Sequence, residues 1–254
     1  MFIDTHCHLG KDDYDNVNEI IEHMENNIMI ASGVDLETNK EVIELIKKYP
    51  NVYGTLGFHP EYASTLDIDK WISYMEDNIN NPKVIGIGEV GLDYHYEGFD
   101  KEKQKELFIK MIDLARKYDK TLVIHTRDAV ADTLEILKEN DIKNMRVTLH
   151  CFSESIEMAR EFLKLGCKFG IGGVVTFKNG RKLQEVVTNL DLSNFVLETD
   201  SPYLAPEPFR GTKNEPKNVY LVAKKISELK GIDVEEVLKI TTENTKKQYQ
   251  LEDL

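Results

Sequence analysis

The sequence predicts one (β/α)8 barrel, an α/β domain spanning residues 1–254. Three observations predict it. Eight short, β-branched, apolar runs alternate with longer amphipathic stretches at intervals of about 25 to 35 residues, the rhythm of a right-handed parallel barrel. Each run is apolar nearly throughout, as strands covered on both faces must be. Residues of metal-ligand type fall at the C-terminal ends of several runs, the end at which barrel enzymes carry their chemistry.

In chain order, the predicted strands are Phe2–Thr5, Ile28–Ser32, Val52–Leu56, Val84–Gly88, Thr121–Ile124, Arg146–Leu149, Lys168–Ile171 and Phe195–Glu198. Between them, Asn39–Lys48 places Val42, Ile43, Leu45 and Ile46 on one face. Lys101–Tyr118 carries a stripe of Leu107, Phe108, Met111, Ile112, Leu114 and Ala115. Ser155–Leu165, Arg181–Asn189 and Asn218–Lys230 follow the same pattern. Gly231 supplies a C-terminal stop after a basic last turn, and Asp233 begins a new helix with an acidic first turn. A doubly wound sheet would place a glycine-rich phosphate turn after its first strand; here that place reads His6-Cys7-His8. The Pro-rich segment 201–217 after the last strand is a long loop of the kind that carries function.

Three cysteines are too few for a disulfide framework and point to a reducing compartment. No basic and apolar leader precedes the first strand, and no apolar run reaches the roughly 20 residues of a membrane span. The expectation is a cytoplasmic protein that meets no membrane and needs no obligate protein partner. A net charge of −13 excludes long-range capture of polyanions, but not a local cation site that holds phosphate.

The first run leads directly into His6 and His8, the fourth ends at Glu89, the fifth at His125, the sixth at His150 and the eighth at Asp200. A parallel barrel brings all these ends to one face. On an extended chain His6 and His8 point the same way, as a divalent ion requires of paired imidazoles. Four imidazoles and two carboxylates exceed the needs of one tetrahedral ion and suit two divalent ions bridged by Glu89. His6, His8 and Asp200 would hold one ion, and His125 with His150 the other. A hydroxide between the ions would be the nucleophile, with Glu89 and Asp200 as catalytic carboxylates and Asp200 taking the water proton.

At these residues the sequence resembles the TatD family of metal-dependent deoxyribonucleases. The matching motifs are Ile3-Asp-Thr-His-Cys-His-Leu, Gly57-Phe-His-Pro, Gly88-Glu-Val-Gly-Leu-Asp-Tyr, His125-Thr-Arg-Asp-Ala, His150-Cys-Phe-Ser and Leu197-Glu-Thr-Asp-Ser-Pro-Tyr-Leu. Arg210-Gly-Thr-Lys-Asn-Glu-Pro and Glu243-Asn-Thr also match, so the likeness runs from about residue 2 to 250. The resemblance implies a dinuclear site on His6, His8, Glu89, His125, His150 and Asp200. It also implies hydrolysis of phosphodiester bonds in DNA, often from the 3′ end, with magnesium as the activating ion. Ligand softness favours zinc, manganese or iron instead.

Arg127, two residues after His125, is placed to clamp a phosphate oxygen, against the alternative of a surface ion pair. His59 either contacts substrate or caps its strand. His95 either contacts substrate or is a solvated loop histidine, His23 reads as solvated, and Cys7 and Cys151 read as small packing residues under the helices. Arg210, Lys213 and Asn214 either line the groove or order the Pro-rich loop. The main rival reading is an amidohydrolase-type barrel acting on an amide, lactone or other ester. Many such enzymes bridge their ions with a modified lysine where this chain has Glu89. A non-catalytic binding protein on a vestigial barrel is the second rival, and the intact ligand set argues against it.

Overall fold

A computed structural model describes residues 1–65 and 67–251; Leu66 and the last three residues of the expected 1–254 domain lie outside the described residues. Eight parallel strands pair in chain order: β1 (Ile3–Cys7), β2 (Ile28–Ser32), β3 (Val52–Leu56), β4 (Val84–Asp93), β5 (Thr121–Arg127), β6 (Val147–Leu149), β7 (Lys168–Ile171) and β8 (Phe195–Leu197). The ring closes between β1 and the residues just after β8. Cys7 and Ser201 form a parallel bridge, Asp200 N donates to His6 O at 2.9 Å, and His8 N donates to Ser201 O at 2.7 Å.

The helices among the described residues are α1 (Val17–Glu22), α2 (Leu36–Lys48), α3 (Ile68–Asn78), α4 (Lys101–Lys117), α5 (Val130–Glu139), α6 (Ile156–Lys164), α7 (Arg181–Asn189), α8 (Val219–Lys230) and α9 (Val234–Tyr249). Local chemistry sets their ends. Asp35 accepts from Thr38 N while Thr38 Oγ1 reaches back to Asp35 N, a capping box that starts α2. Asp100 and Asp233 cap α4 and α9, and Gly231 stops α8 at φ 66°, where a side chain would be strained. No described helix is long and apolar enough to cross a membrane.

The helices bury their apolar stripes against the strands, with Phe108, Phe162, Phe169 and Phe195 fully enclosed. Truncating any one of these to alanine costs about 3–5 kcal/mol. A smaller cluster of Ile3, Ile28, Ile30, Ile85 and Val123 is capped by Tyr249 and Leu251. Ile3, Ile28 and Ile85 begin or nearly begin their strands, so the end of α9 seals the N-terminal side of the barrel and the C-terminal side is left for the site.

Three strands run further than their apolar runs predict. His6 lies within β1, Glu89 within β4 and His125 within β5, because ladder hydrogen bonds continue through polar residues. The sixth and eighth strands are each one residue shorter than predicted. The pairing shifts register between Asp4 and Cys7, and again between Ile87 and Val90. These irregularities bracket His6 and Glu89, and such bulges re-aim the side chains they contain.

Candidate metal centre

The six predicted ligand-type residues meet at the C-terminal mouth. His6 Nε2 lies 3.3 Å from Glu89 Oε2 and 3.7 Å from Asp200 Oδ1. His8 Nε2 lies 3.7 Å from Glu89 Oε2 and 3.4 Å from Asp200 Oδ1. The other oxygen of Glu89, Oε1, is 2.8 Å from His125 Nδ1 and 2.9 Å from His150 Nε2. One carboxylate thus faces an imidazole pair on each side.

The supports behind the rings fix which nitrogens face inward. Ser32 O, a carbonyl, lies 3.2 Å from His8 Nδ1, so that nitrogen donates and Nε2 is the one turned to Glu89 and Asp200. Ser32 Oγ lies 3.1 Å from His6 Nδ1, and Asp93 Oδ2 lies 3.0 Å from His125 Nε2. Buried Asp4 in turn anchors the loop that carries Asp200, accepting from Thr199 N at 3.0 Å and from Thr199 Oγ1 at 2.5 Å. β4 can approach β5 this closely because Gly91 has no side chain; a Cβ there would overlap the His125 carbonyl.

These residues fit a divalent cation. His6 Nε2 is fully buried and has no hydrogen-bond partner among the described residues, an expense that a cation would remove. The 3.3–3.7 Å spacings among His6, His8, Glu89 and Asp200 lie close to the edges of about 3.3–3.6 Å expected when ligands stand about 2.0–2.2 Å from a tetrahedral ion. His6, Glu89 and His150 form one group of ligand atoms within mutual reach, His6, His8 and Asp200 a second, and His59, Asp93 and His125 a third.

Electrostatics point the same way. Burial, the largest influence on Glu89, opposes its charge, but His150, His125 and His6 outweigh it and hold its pKa well below the usual value. Burial also opposes charge on Asp200, where the hydrogen bond to His8 and the nearby imidazoles prevail and lower the pKa. Burial lowers His59 to about 4 and lowers His6 as well. Two ionised acids draw positive charge to the mouth; against burial they raise the pKa values of His8, His125 and His150, so these rings must release protons before they ligate.

The remaining predicted residues divide. His59 follows β3 and accepts from Glu61 N at 3.4 Å through Nδ1, while Nε2 lies 3.9 Å from Glu89 Oε1; it both caps and borders the centre. Arg127 ends β5, is exposed, and lies 5.4 Å over the Tyr96 ring, with no ion pair among the described residues. Asn214 is buried and donates to the carbonyls of Thr199 and Tyr203, so it orders the Pro-rich loop. Lys213 donates to Asp13 O at 2.6 Å.

Two expectations need correcting. His23 is not simply solvated: it caps α1 and pairs with Glu215 at 2.8 Å, and His95 likewise pairs with Asp128 at 2.8 Å. Cys7 is buried and donates from Sγ to Ile30 O. Cys151, at φ 47°, turns the chain just after His150, and its thiol is pushed up by burial and then by the charges of Asp200, Glu198 and Glu89. Residue patterns missed Ser32, Asp93 and Glu198. Asp93 lies four residues beyond Glu89 and Glu198 two before Asp200, spacings that alternation allows but that do not by themselves mark a site residue.

Comparisons with known proteins agree with this geometry. A family model described as TatD related DNase matches residues 3–250. The chain is 38% identical to the uncharacterized metal-dependent hydrolase YabD of Bacillus subtilis, over 99% of this chain and 100% of that protein. It is 34% identical to the uncharacterized metal-dependent hydrolase YcfH of Escherichia coli K12, over 96% and 94% of the two chains. The crystal structure of YjjV, a TatD homologue from Escherichia coli K12, superposes with a TM-score of 0.90 at 28% identity, covering 98% of each chain.

Proposed function

This chain belongs to the TatD related DNase family and is a metal-dependent hydrolase, and on that premise we propose that it cleaves phosphodiester bonds of DNA, from the 3′ end. The observation that carries the reading is the two-sided Glu89 carboxylate, with Oε2 toward His6 and His8 and Oε1 toward His125 and His150. His6, His8 and Asp200 would hold one divalent ion and His125 with His150 the other, Glu89 serving both. Magnesium, zinc and manganese are the candidate ions. Bound cations would supply Lewis acidity toward a phosphoryl oxygen and bring the pKa of water toward neutrality.

The chain's own residues would do the rest. Asp200 Oδ1 is ionised at neutral pH and reaches the mouth, so it can accept a proton from an attacking water. Arg127 Nη atoms, without an acidic partner among the described residues, are available to a phosphate oxygen, and Arg gives that contact in a bidentate form. His59 stands neutral at the rim, able to orient substrate without adding charge.

Incubating the metal-loaded protein with end-labelled single-stranded and duplex DNA tests the proposal. Stepwise shortening from the 3′ end is the expected result. Inertness toward every phosphodiester, with turnover of an amide or lactone, would move the assignment to an amidohydrolase-type activity.

A further inference from the structure

We propose that Glu198 is a positioning residue that locks the His150 imidazole with its Nε2 turned to the metal centre. The inference deepens the centre proposed above and rests on His150 being one of its ligands.

Glu198 follows β8, and its side chain is fully buried. Its N donates to Ile171 O at 3.1 Å, which pins the backbone to β7. The side chain crosses β7 at Gly170 and reaches the chain just after β6, beside His150. There Oε1 accepts the backbone N–H of Cys151 and lies 3.7 Å from His150 Nδ1. That nitrogen is buried and has no hydrogen-bond partner among the described residues; neither has Glu198 Oε2.

A buried imidazole nitrogen without a partner, 3.7 Å from a carboxylate whose second oxygen is also without one, is a poor arrangement for stability alone, because each is withdrawn from water. It makes sense for ligation. An imidazole that offers Nε2 to a cation must carry its proton on Nδ1. Among the described residues, the carboxylate within reach of that proton is Glu198. Such a carboxylate fixes the tautomer and ring orientation and strengthens the nitrogen as a donor. Because the same oxygen holds the Cys151 amide, it fixes the ring and the turn after it together.

The barrel wall is shaped for this carboxylate. At Gly170 a Cβ would overlap Glu198 Oε2. The strand beside His150 therefore leaves a carboxylate-sized space. His150 and His125 would then be held by matching devices, since Asp93 occupies the corresponding place 3.0 Å behind His125.

Zinc titration calorimetry on the full-length metal-free protein tests the proposal. In Glu198→Gln the site containing His150 is expected to lose about ten- to a hundredfold in affinity, the usual effect of removing such an outer carboxylate. The His6–His8–Asp200 site should keep its affinity and the metal-free melting temperature should hold. Equal affinity at both sites, or equal loss at both with a lower melting temperature, overturns the role. His150→Ala separates the two layers of argument. If it leaves zinc binding intact, the metal-centre reading fails and this inference with it. If it weakens a site that Glu198→Gln does not, the Glu198 assignment alone fails. Should Glu198→Gln not fold, nitrogen-15 NMR of the histidines in the unaltered zinc-loaded protein decides. A Nδ1-protonated His150 with a strongly low-field proton supports the pair, and an ordinary proton shift or the other tautomer overturns it.

Discussion

The hydroxyl of Ser32 stands 3.1 Å from Nδ1 of His6, and the carbonyl of the same residue lies 3.2 Å from Nδ1 of His8. One residue at the end of β2 therefore aims both imidazoles of the first candidate ion site. The two supports differ in kind, because a side-chain change removes only the first. Ser32→Ala is expected to lower zinc affinity at that site by about tenfold, the lower end of the effect of losing an outer support. His8 keeps its backbone partner, so loss of the site altogether is not expected. Calorimetry that finds unchanged affinity would show that His6 needs no such support.

Glu89 places one oxygen toward each imidazole pair, so its replacement should disturb both ions at once. Glu89→Gln keeps the size of the side chain but offers one acceptor oxygen in place of two. Bound metal should fall from two ions per chain to one or none, and hydrolysis by about a hundredfold or more, as when a preorganised electrostatic group is lost. Elemental analysis and initial rates check this, with circular dichroism to establish that the barrel persists. Two ions retained at full rate would refute the bridge.

Asp200 needs a conservative replacement because its φ is 55°. Asparagine tolerates the left-handed region, whereas alanine adds about 1–2 kcal/mol of backbone strain and confuses function with folding. Asp200→Asn is expected to fold normally and to lose hydrolysis by at least about a hundredfold, because it removes both a candidate ligand and the proton acceptor. Near-normal turnover by Asp200→Asn would remove Asp200 from the machinery.

The sequence made the barrel legible because its strands are apolar on both faces and its helices on one. The candidate centre was legible because six ligand-type residues sit at strand ends. Boundaries were less so: the apolar pattern stops at Glu89 and His125, whereas β4 and β5 continue to Asp93 and Arg127. Ser32, Asp93 and Glu198 could not be singled out because an isolated serine or carboxylate has no periodic signature. Only the pairing of β1 with β2 puts Ser32 behind His6, and only the glycine at position 170 makes room for Glu198.

Arg127 provides a test of the substrate class. Its guanidinium lies over Tyr96 and touches no candidate ligand, so metal content should survive its loss. Arg127→Ala should raise KM for DNA by about tenfold, worth about 1.4 kcal/mol, with bound metal unchanged. Loss of metal instead would mean that Arg127 holds the site together. An unchanged KM would place the phosphate elsewhere on the rim.

Proton linkage at His8 gives a prediction independent of substrate. In the metal-free protein burial works against its imidazolium, but Asp200, followed by Glu89 and Asp13, outweighs burial and raises the pKa from 6.5 to about 9. A histidine raised in the folded state contributes stability that is fully present below its unfolded pKa and is lost as pH rises through the folded value. The metal-free melting temperature should therefore fall as pH climbs from about 6.5 to 9. Cation binding runs the other way, since the ring must shed its proton to ligate. Affinity for zinc should rise between pH 6.5 and 8, with about one proton released per ion at this site. Removing the Asp200 charge in Asp200→Asn should flatten both trends. Calorimetry in buffers of different ionisation enthalpy measures the proton directly, and binding at pH 7 without proton release would exclude His8 as the group that a cation displaces from its acid partner.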